Sequence, residues 1–313
     1  MRFVVTIIIV AMSSGCADDL VEATPLRLLQ ANIGTVLLDC DRYVYKLCDV
    51  ATEDAVAASI FALDPDVIAL QEVLPDRVCD AIDDDGGESD DARSCFAAVR
   101  AAQPTQLRRL LPEDDWDVRC DERNGYECVA ARVGRVAFVS DYVTADAIDS
   151  AVDDANCDDG FTVGRVDLDV SDRRVRVING HPQSTNAACR AAQVEQIFGA
   201  LANDDNDDVD ATVVSGDMNL DPFGFGLDEN DVSVPVWSDH LVDDGFVYAS
   251  GVAERASPYP TTNSLFAATL DHVVVRGASG VCTTQGGATV TRRLDGDDGA
   301  MDHRALDCAL FIP

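Results

Sequence analysis

Six apolar runs spread along the chain each carry a short polar motif, and this recurrence constrains the fold more than any other property of the sequence. They read Leu28-Leu29-Gln30-Ala31-Asn32, Val67-Ile68-Ala69-Leu70-Gln71-Glu72 and Val177-Ile178-Asn179-Gly180-His181. Further along come Val213-Val214-Ser215-Gly216-Asp217-Met218-Asn219, Leu270-Asp271-His272-Val273-Val274-Val275 and Asp302-His303-Arg304. Each apolar run is a candidate buried strand, and each polar residue falls where that strand should end. Strand ends that bring Asn, Glu, His and Asp to one edge of a scaffold make a bowl of hard oxygen ligands and imidazoles. That donor set suits metal-assisted phosphoryl transfer.

In order, spacing and residue type these segments resemble the endonuclease/exonuclease/phosphatase superfamily, from about Leu28 to Ile312. Any one motif is weak, because Gln-Glu and Asp-His pairs are common by chance; the ordered series is specific. The resemblance implies an α+β fold, a four-layered α/β sandwich of two packed mixed β-sheets flanked by helices. Strand pairs alternating with helical segments point the same way. Because the motifs are interleaved along the length, residues 24–313 are expected to form a single domain; dividing them would cut the site apart.

The N-terminus reads as an export signal. Arg2 precedes an apolar stretch over 3–12, too short to span a bilayer, followed by Ser13-Ser14-Gly15-Cys16. Residues 1–15 are expected to be removed, with Cys16 lipidated as in a bacterial lipoprotein, although Ser13 stands where a lipobox prefers Leu. The expected location is the cell envelope, or the medium if Cys16 carries no lipid. Beyond Cys16 the remaining cysteines are Cys40, Cys48, Cys79, Cys95, Cys120, Cys128, Cys157, Cys189, Cys282 and Cys308. An even set in an exported chain implies disulfides, neighbour with neighbour as the simplest pairing. None forms a Cys-x-x-Cys pair, which argues against a zinc site.

The chain carries 57 acidic against 23 basic residues, and Lys46 is its only lysine. The acids gather at 83–91, 204–210 and 295–298. Asp204-x-Asn206-x-Asp208 opens like a calcium loop, but Val209 replaces the required Gly and no Glu closes it. Solvated acidic loops are the better reading, suited to a saline habitat where ~1 M salt screens charge over about 3 Å.

The segments predict strands at 25–30, 67–70, 116–119, 128–133, 136–139, 164–170, 174–179, 211–214, 246–248, 270–276 and 305–311. Helices are predicted at 53–63, 92–111 and 187–201. Arg190 and Gln193 are expected to hold the last helix against the sheet.

Glu72, a carboxylate ending an apolar strand, is the leading metal ligand, because a buried charge there is costly unless it is paired or bound. Its companion is Asn32, through its carbonyl or by orienting water. By resemblance, Asp302 faces the metal, Asp217 positions or deprotonates the attacking water, and Asn219 binds the phosphate or the metal. His303 paired with Asp271 forms the acid–base couple, and His181 is a second donor to the phosphate. Asn186 is a weaker substrate-binding candidate, with Arg190 and Arg165 behind it. His272 follows a functional Asp and reads as packing. The cofactor expected is Mg2+ or Mn2+, with Ca2+ as a further candidate.

The expectation is a monomeric phosphodiesterase acting by in-line attack of activated water, with nucleic acid as the first-choice substrate. The charge opposes that choice, because nucleic-acid binding relies on Lys and Arg to neutralise phosphates. The alternatives are a sphingomyelinase-like phospholipase C, a small phosphate-ester phosphatase and, from another class, a non-catalytic surface binder that retains the fold.

Overall fold

Strand alternation sets the layers. On β1 (Thr24–Asn32), Leu26 and Leu28 enter one core while Leu29 and Ala31 enter another. On β2 (Val67–Gln71), Val67 joins the first core, and Ile68 and Leu70 the second. Successive side chains of a strand point to opposite faces, so a strand apolar on both sides must be covered on both sides. The computed structural model describes residues 23–34, 50–76, 105–122, 126–145, 157, 161–203, 208–223, 230–249, 268–284, 294, 301 and 303–313.

The first sheet adds β3 (Trp116–Cys120), β4 (Cys128–Arg132), β12 (Ser279–Thr284) and β13 (Leu306–Ile312), in the order β12-β13-β1-β2-β4-β3. The second holds β5 (Ala137–Phe138), β7 (Val163–Val170), β8 (Arg173–Gly180), β9 (Ala211–Asp217), β10 (Val247–Tyr248) and β11 (Asp271–Arg276). Its order is β10-β11-β9-β8-β7-β5, with β6 (Val143–Thr144) also pairing β7. β1 runs parallel to β2, and β8 to β9, while the remaining pairs are antiparallel.

Each parallel pair is joined through a helix, α1 (Val50–Leu63) for β1–β2 and α3 (Ala187–Gln196) for β8–β9. Val56 and Ile60 of α1, with Leu107 and Leu110 of α2 (Gln106–Leu110), cover the outer face of the first sheet. Val194 of α3 and Trp237 of α4 (Ser233–Asp243) cover the second, against Ile178, Val214 and Val274. Between the sheets lie Leu26, Leu28 and Val67 on one side and Val175, Val177, Val213 and Val273 on the other. The architecture is therefore the expected four-layered α/β sandwich.

Local chemistry explains the punctuation. Asp64 takes a left-handed φ of 48° to end α1, and Pro65 cannot continue it. Ser171 and Asp172, both at positive φ, make the two-residue turn joining β7 to β8, the geometry that matches strand twist. Cross-strand partners Cys120 and Cys128 form a disulfide, as do Cys282 and Cys308, and Cys157 is bonded to Cys189. These three follow the neighbour pairing; Cys16, Cys40, Cys48, Cys79 and Cys95 lie outside the described residues, as do 1–15.

Several expectations need correction. The α-helix predicted over 187–201 stops at Gln196 and becomes a π-helical turn, Ile197–Leu201, closed by Ala202 N–H on the Ile197 carbonyl. β9 runs three residues past its predicted end and carries Asp217 within it. Of the helix predicted at 92–111, the described part is helical over Gln106–Leu110. α4 and β12 were not foreseen. Among the described residues, no helix is long and apolar enough to cross a membrane.

Candidate active site

The polar ends converge because of strand direction. β1, β2, β8 and β9 leave the same edge by their C-terminal ends, supplying Asn32, Glu72, His181 and Asp217. β11 and β13 run opposite to their neighbours and arrive there by their N-terminal ends, with Asp271 and, just upstream of β13, His303.

Close backbone approach shapes this edge. Gly216, at φ +147°, lies against its parallel partner Gly180, where an added Cβ would come 2.0 Å from the Gly180 carbonyl oxygen. A Cβ on Gly34 would stand 1.9 Å from Glu72 Oε2, so only glycine leaves room for that carboxylate. Glu72 (φ 59°) and Asn219 (φ 50°) hold left-handed conformations unusual for non-glycine residues. Such strain persists where the surroundings impose it, commonly at functional sites.

Asp217 is the hub, and it is buried. Asn32 Nδ2 donates to Asp217 Oδ2 at 3.0 Å and to Glu72 Oε1 at 2.9 Å. The Asn219 backbone N–H donates to Asp217 Oδ1 at 3.0 Å, while Asn219 Nδ2 donates to the Pro182 carbonyl. Asn32 Oδ1 accepts from Gly34 N–H at 2.9 Å.

Two imidazoles flank the hub, each held by a buried carboxylate. His303 Nδ1 lies 2.8 Å from Asp271 Oδ2, and its Nε2 3.5 Å from Asp217 Oδ2. His181 Nδ1 lies 3.2 Å from Glu127 Oε1, with Nε2 3.7 Å from Glu72 and 3.8 Å from Asp217. A carboxylate can only accept, so both Nδ1 atoms are assigned the proton. Burial pulls the His181 pKa down, but the hydrogen bond to Glu127 and the charges of Asp217 and Glu72 prevail and raise it to about 9. Burial alone would raise Asp217; the two imidazoles, Asn219 N–H and Asn32 outweigh it and hold this carboxyl below its ordinary value. Burial raises Glu127, against the opposing pull of His181.

Glu72, His181 and Asp217 present ligand atoms within 4.8 Å of one another, as do Asp217, Asp271 and His303. The donor set is rich in hard oxygen, and Gly34 lets the Glu72 carboxylate sit against its backbone beside Asn32 Oδ1. Both features fit a divalent cation.

Asn32, Glu72, His181, Asp217, Asp271 and His303 thus come together, with Asn219 beside Asp217. Asn186 does not join them: its Oδ1 caps α3 by accepting from Ala188 and Cys189 N–H. Asp302 lies outside the described residues. His272 Nε2 bonds the Leu220 carbonyl, and its ring packs by Trp237 and Tyr248, with burial lowering its pKa. Arg165 reaches the Leu201 carbonyl. Arg190 ties α3 to Asp231, to Ser233 and to the carbonyls of Gln183 and Ser184, and Gln193 bonds Gln183 N–H and the Phe161 carbonyl. Both therefore tie α3 to neighbouring loops, and Arg190 also to the first residue of α4, instead of to the sheet. Glu127 is not apparent from the motif pattern, because it precedes its apolar run whereas the motif residues follow theirs.

The sequence model described as the Endonuclease/Exonuclease/phosphatase family matches residues 29–291. No curated protein matches the chain significantly by sequence. Among solved structures, an endonuclease/exonuclease/phosphatase from Bacteroides vulgatus superposes with TM-score 0.62 at 16% identity, covering 93% of this chain and 100% of that one. The human Nocturnin catalytic domain with bound sulfate gives 0.58 at 15%, covering 91% and 94%. D. rerio TDP2 complexed with single-strand DNA product gives 0.55 at 12%, covering 91% and 98%. At these identities the structural likenesses establish the fold.

Proposed function

The chain belongs to the endonuclease/exonuclease/phosphatase family, and on that premise we propose that it is an exported, divalent-metal-dependent phosphodiesterase, a nuclease in the first instance. One observation carries this reading: a buried carboxylate, Asp217, stands between two imidazoles that are each held by a carboxylate of their own.

Glu72, with Asn32 beside it and Asp302 from the segment before His303, would hold Mg2+ or Mn2+. When bound, such an ion supplies positive charge opposite the phosphoryl oxygens in a site whose own carboxylates would repel them. The remaining work falls to side chains. Asp217, kept anionic by its neighbours, accepts a hydrogen bond from the attacking water and so aims the water oxygen in line at phosphorus. His181, held at Nδ1 by Glu127, presents Nε2 toward the same space, where it donates to a phosphoryl oxygen. His303, fixed by Asp271, donates from its own Nε2 as negative charge grows. Asn219, beside Asp217, contributes its amide to phosphate binding.

A DNA-bound TDP2 among the structural neighbours supports nucleic acid as substrate. The net charge of −34 favours a second reading, a phosphodiesterase or phosphatase acting on small esters, since a long polyanion would be repelled. Mature protein assayed with Mg2+ against plasmid DNA, RNA, sphingomyelin and inositol phosphates separates these. Cleavage of DNA or RNA, abolished by chelator, supports the nuclease; turnover of small esters alone supports the second reading. No hydrolysis with Mg2+ or Mn2+ would overturn both.

A further inference from the structure

Beneath the candidate site lies a layer of buried amides. Along the inner face of β1 the residues run Leu26, Leu28, Gln30, Asn32, from inter-sheet core to site. β8 runs Val175, Val177, Asn179 and then His181, and β2 passes from Val67 to Gln71. Gln30, Gln71 and Asn179 are each 0% exposed.

Their hydrogen bonds have one direction. Asn179 Nδ2 donates to the backbone carbonyls of Leu70 and Cys128, at 2.9 and 3.1 Å. Those carbonyls only accept, so the amide of Asn179 cannot be reversed. Its Oδ1 therefore accepts from Gln71 Nε2 at 2.6 Å, and Gln71 Oε1 accepts from Gln30 Nε2 at 2.9 Å. Gln30 Nε2 then aims its second N–H at Asp271 Oδ1, 2.8 Å away. Backbone carbonyls of the first sheet thereby dictate that Asp271 faces a donor on Oδ1, leaving Oδ2 to His303.

Gln30 satisfies two buried acceptors, Gln71 Oε1 and Asp271 Oδ1, but is not itself fully satisfied. Its Oε1 is buried with no hydrogen-bond partner among the described residues, a situation that costs free energy. A local violation of polar satisfaction beneath a site points to a role in that site.

We infer that Gln30, oriented by the Gln71–Asn179 amide layer, is a positioning residue for phosphoester hydrolysis that fixes the carboxylate of Asp271 and, through it, the ring of His303. The inference rests on the proposed hydrolase function and adds to it a residue that touches neither substrate nor metal.

The test is Gln30→Met, which keeps length and removes the donor, alone and with Asp271→Asn, on a chromogenic phosphodiester with Mg2+. Gln30→Met should lower kcat at least ~10-fold with KM within about twofold, the order of a lost positioning contact. In the Asp271→Asn background its effect should shrink below about twofold. An unchanged kcat, or the same ~10-fold factor in both backgrounds, would overturn the inference. If Gln30→Met does not fold, Gln30→Thr, which cannot overfill the layer, replaces it in the same cycle. A second readout needs no turnover: in chelated, 15N-histidine-labelled protein the His303 Nδ1 proton should exchange faster in the variant than in wild type. Should wild type hydrolyse nothing, the hydrolase reading fails while this exchange rate still decides whether Gln30 positions His303; equal rates would sink it.

Discussion

Replacing Glu127 by Gln keeps the size of the side chain and removes the charge that holds His181. Glu127 is 0% exposed, its Oε1 is 3.2 Å from His181 Nδ1 and its Oε2 accepts from Thr162 at 2.6 Å, so little water screens the pair. A hydrogen bond to a charged partner is worth ~1.5–3 kcal/mol. At about 1.4 kcal/mol per pH unit, the His181 pKa should fall by roughly 1–2 pH units in Glu127→Gln. The chain has four histidines, so 15N-histidine labelling resolves the titration of each in chelated protein. Stability follows with a definite sign. A folded pKa raised from 6.5 to about 9 gives stability that is complete below pH ~6.5 and lost as pH rises through about 9, on the order of 3 kcal/mol in all. Urea unfolding of the chelated wild type should therefore weaken between pH 6.5 and 9 more steeply than that of Glu127→Gln. A His181 titrating near 6.5 in wild type, or unmoved by the substitution, would refute the reasoning.

Three further outcomes are expected. Glu72→Gln should abolish Mg2+-dependent hydrolysis while circular dichroism stays that of wild type, and chelation of wild type should do the same reversibly; full activity in excess chelator would contradict the metal assignment. His303→Ala and Asp271→Asn should each cost ~10²–10⁴-fold in kcat, with the double variant little worse than either, because the two act as a unit; independent, multiplying losses measured on one substrate would separate them. Reduction of the Cys120–Cys128, Cys157–Cys189 and Cys282–Cys308 bridges should each cost ~2–5 kcal/mol of unfolding free energy, read by denaturant titration with and without dithiol.

The layers were legible because alternation is written into the strands. Leu26-x-Leu28 and Val175-x-Val177 face the inter-sheet core, while Leu29 and Ile178 face outward toward helices. Residues that end parallel strands were equally legible, since an apolar run stops there and a polar side chain follows. Glu127 escapes because β4 is antiparallel and meets the site with its N-terminal end, where the polar residue comes before the apolar run. Asn186 reads in sequence as a weaker substrate-binding candidate, although an Asn directly before a helix predicted from 187 is an N-cap by ordinary chemistry. α4 goes unread because Trp237 is its one buried apolar side chain, too little for a periodicity. The amide layer was invisible in sequence: Gln30, Gln71 and Asn179 lie far apart along the chain and meet only when the sheets pack.

The central claim is that Asp217 and its flanking imidazoles drive water onto phosphorus with a divalent ion held at Glu72. Hydrolysis in H2(18)O tests it most directly, with mass spectrometry of the phosphate-bearing product, Mg2+ present, and Asp217→Asn alongside. The account predicts one 18O per bond cleaved, in the phosphate group, and loss of that labelled product with chelator or with Asp217→Asn. Product formed without 18O on phosphate, or labelled product undiminished in Asp217→Asn, would contradict it.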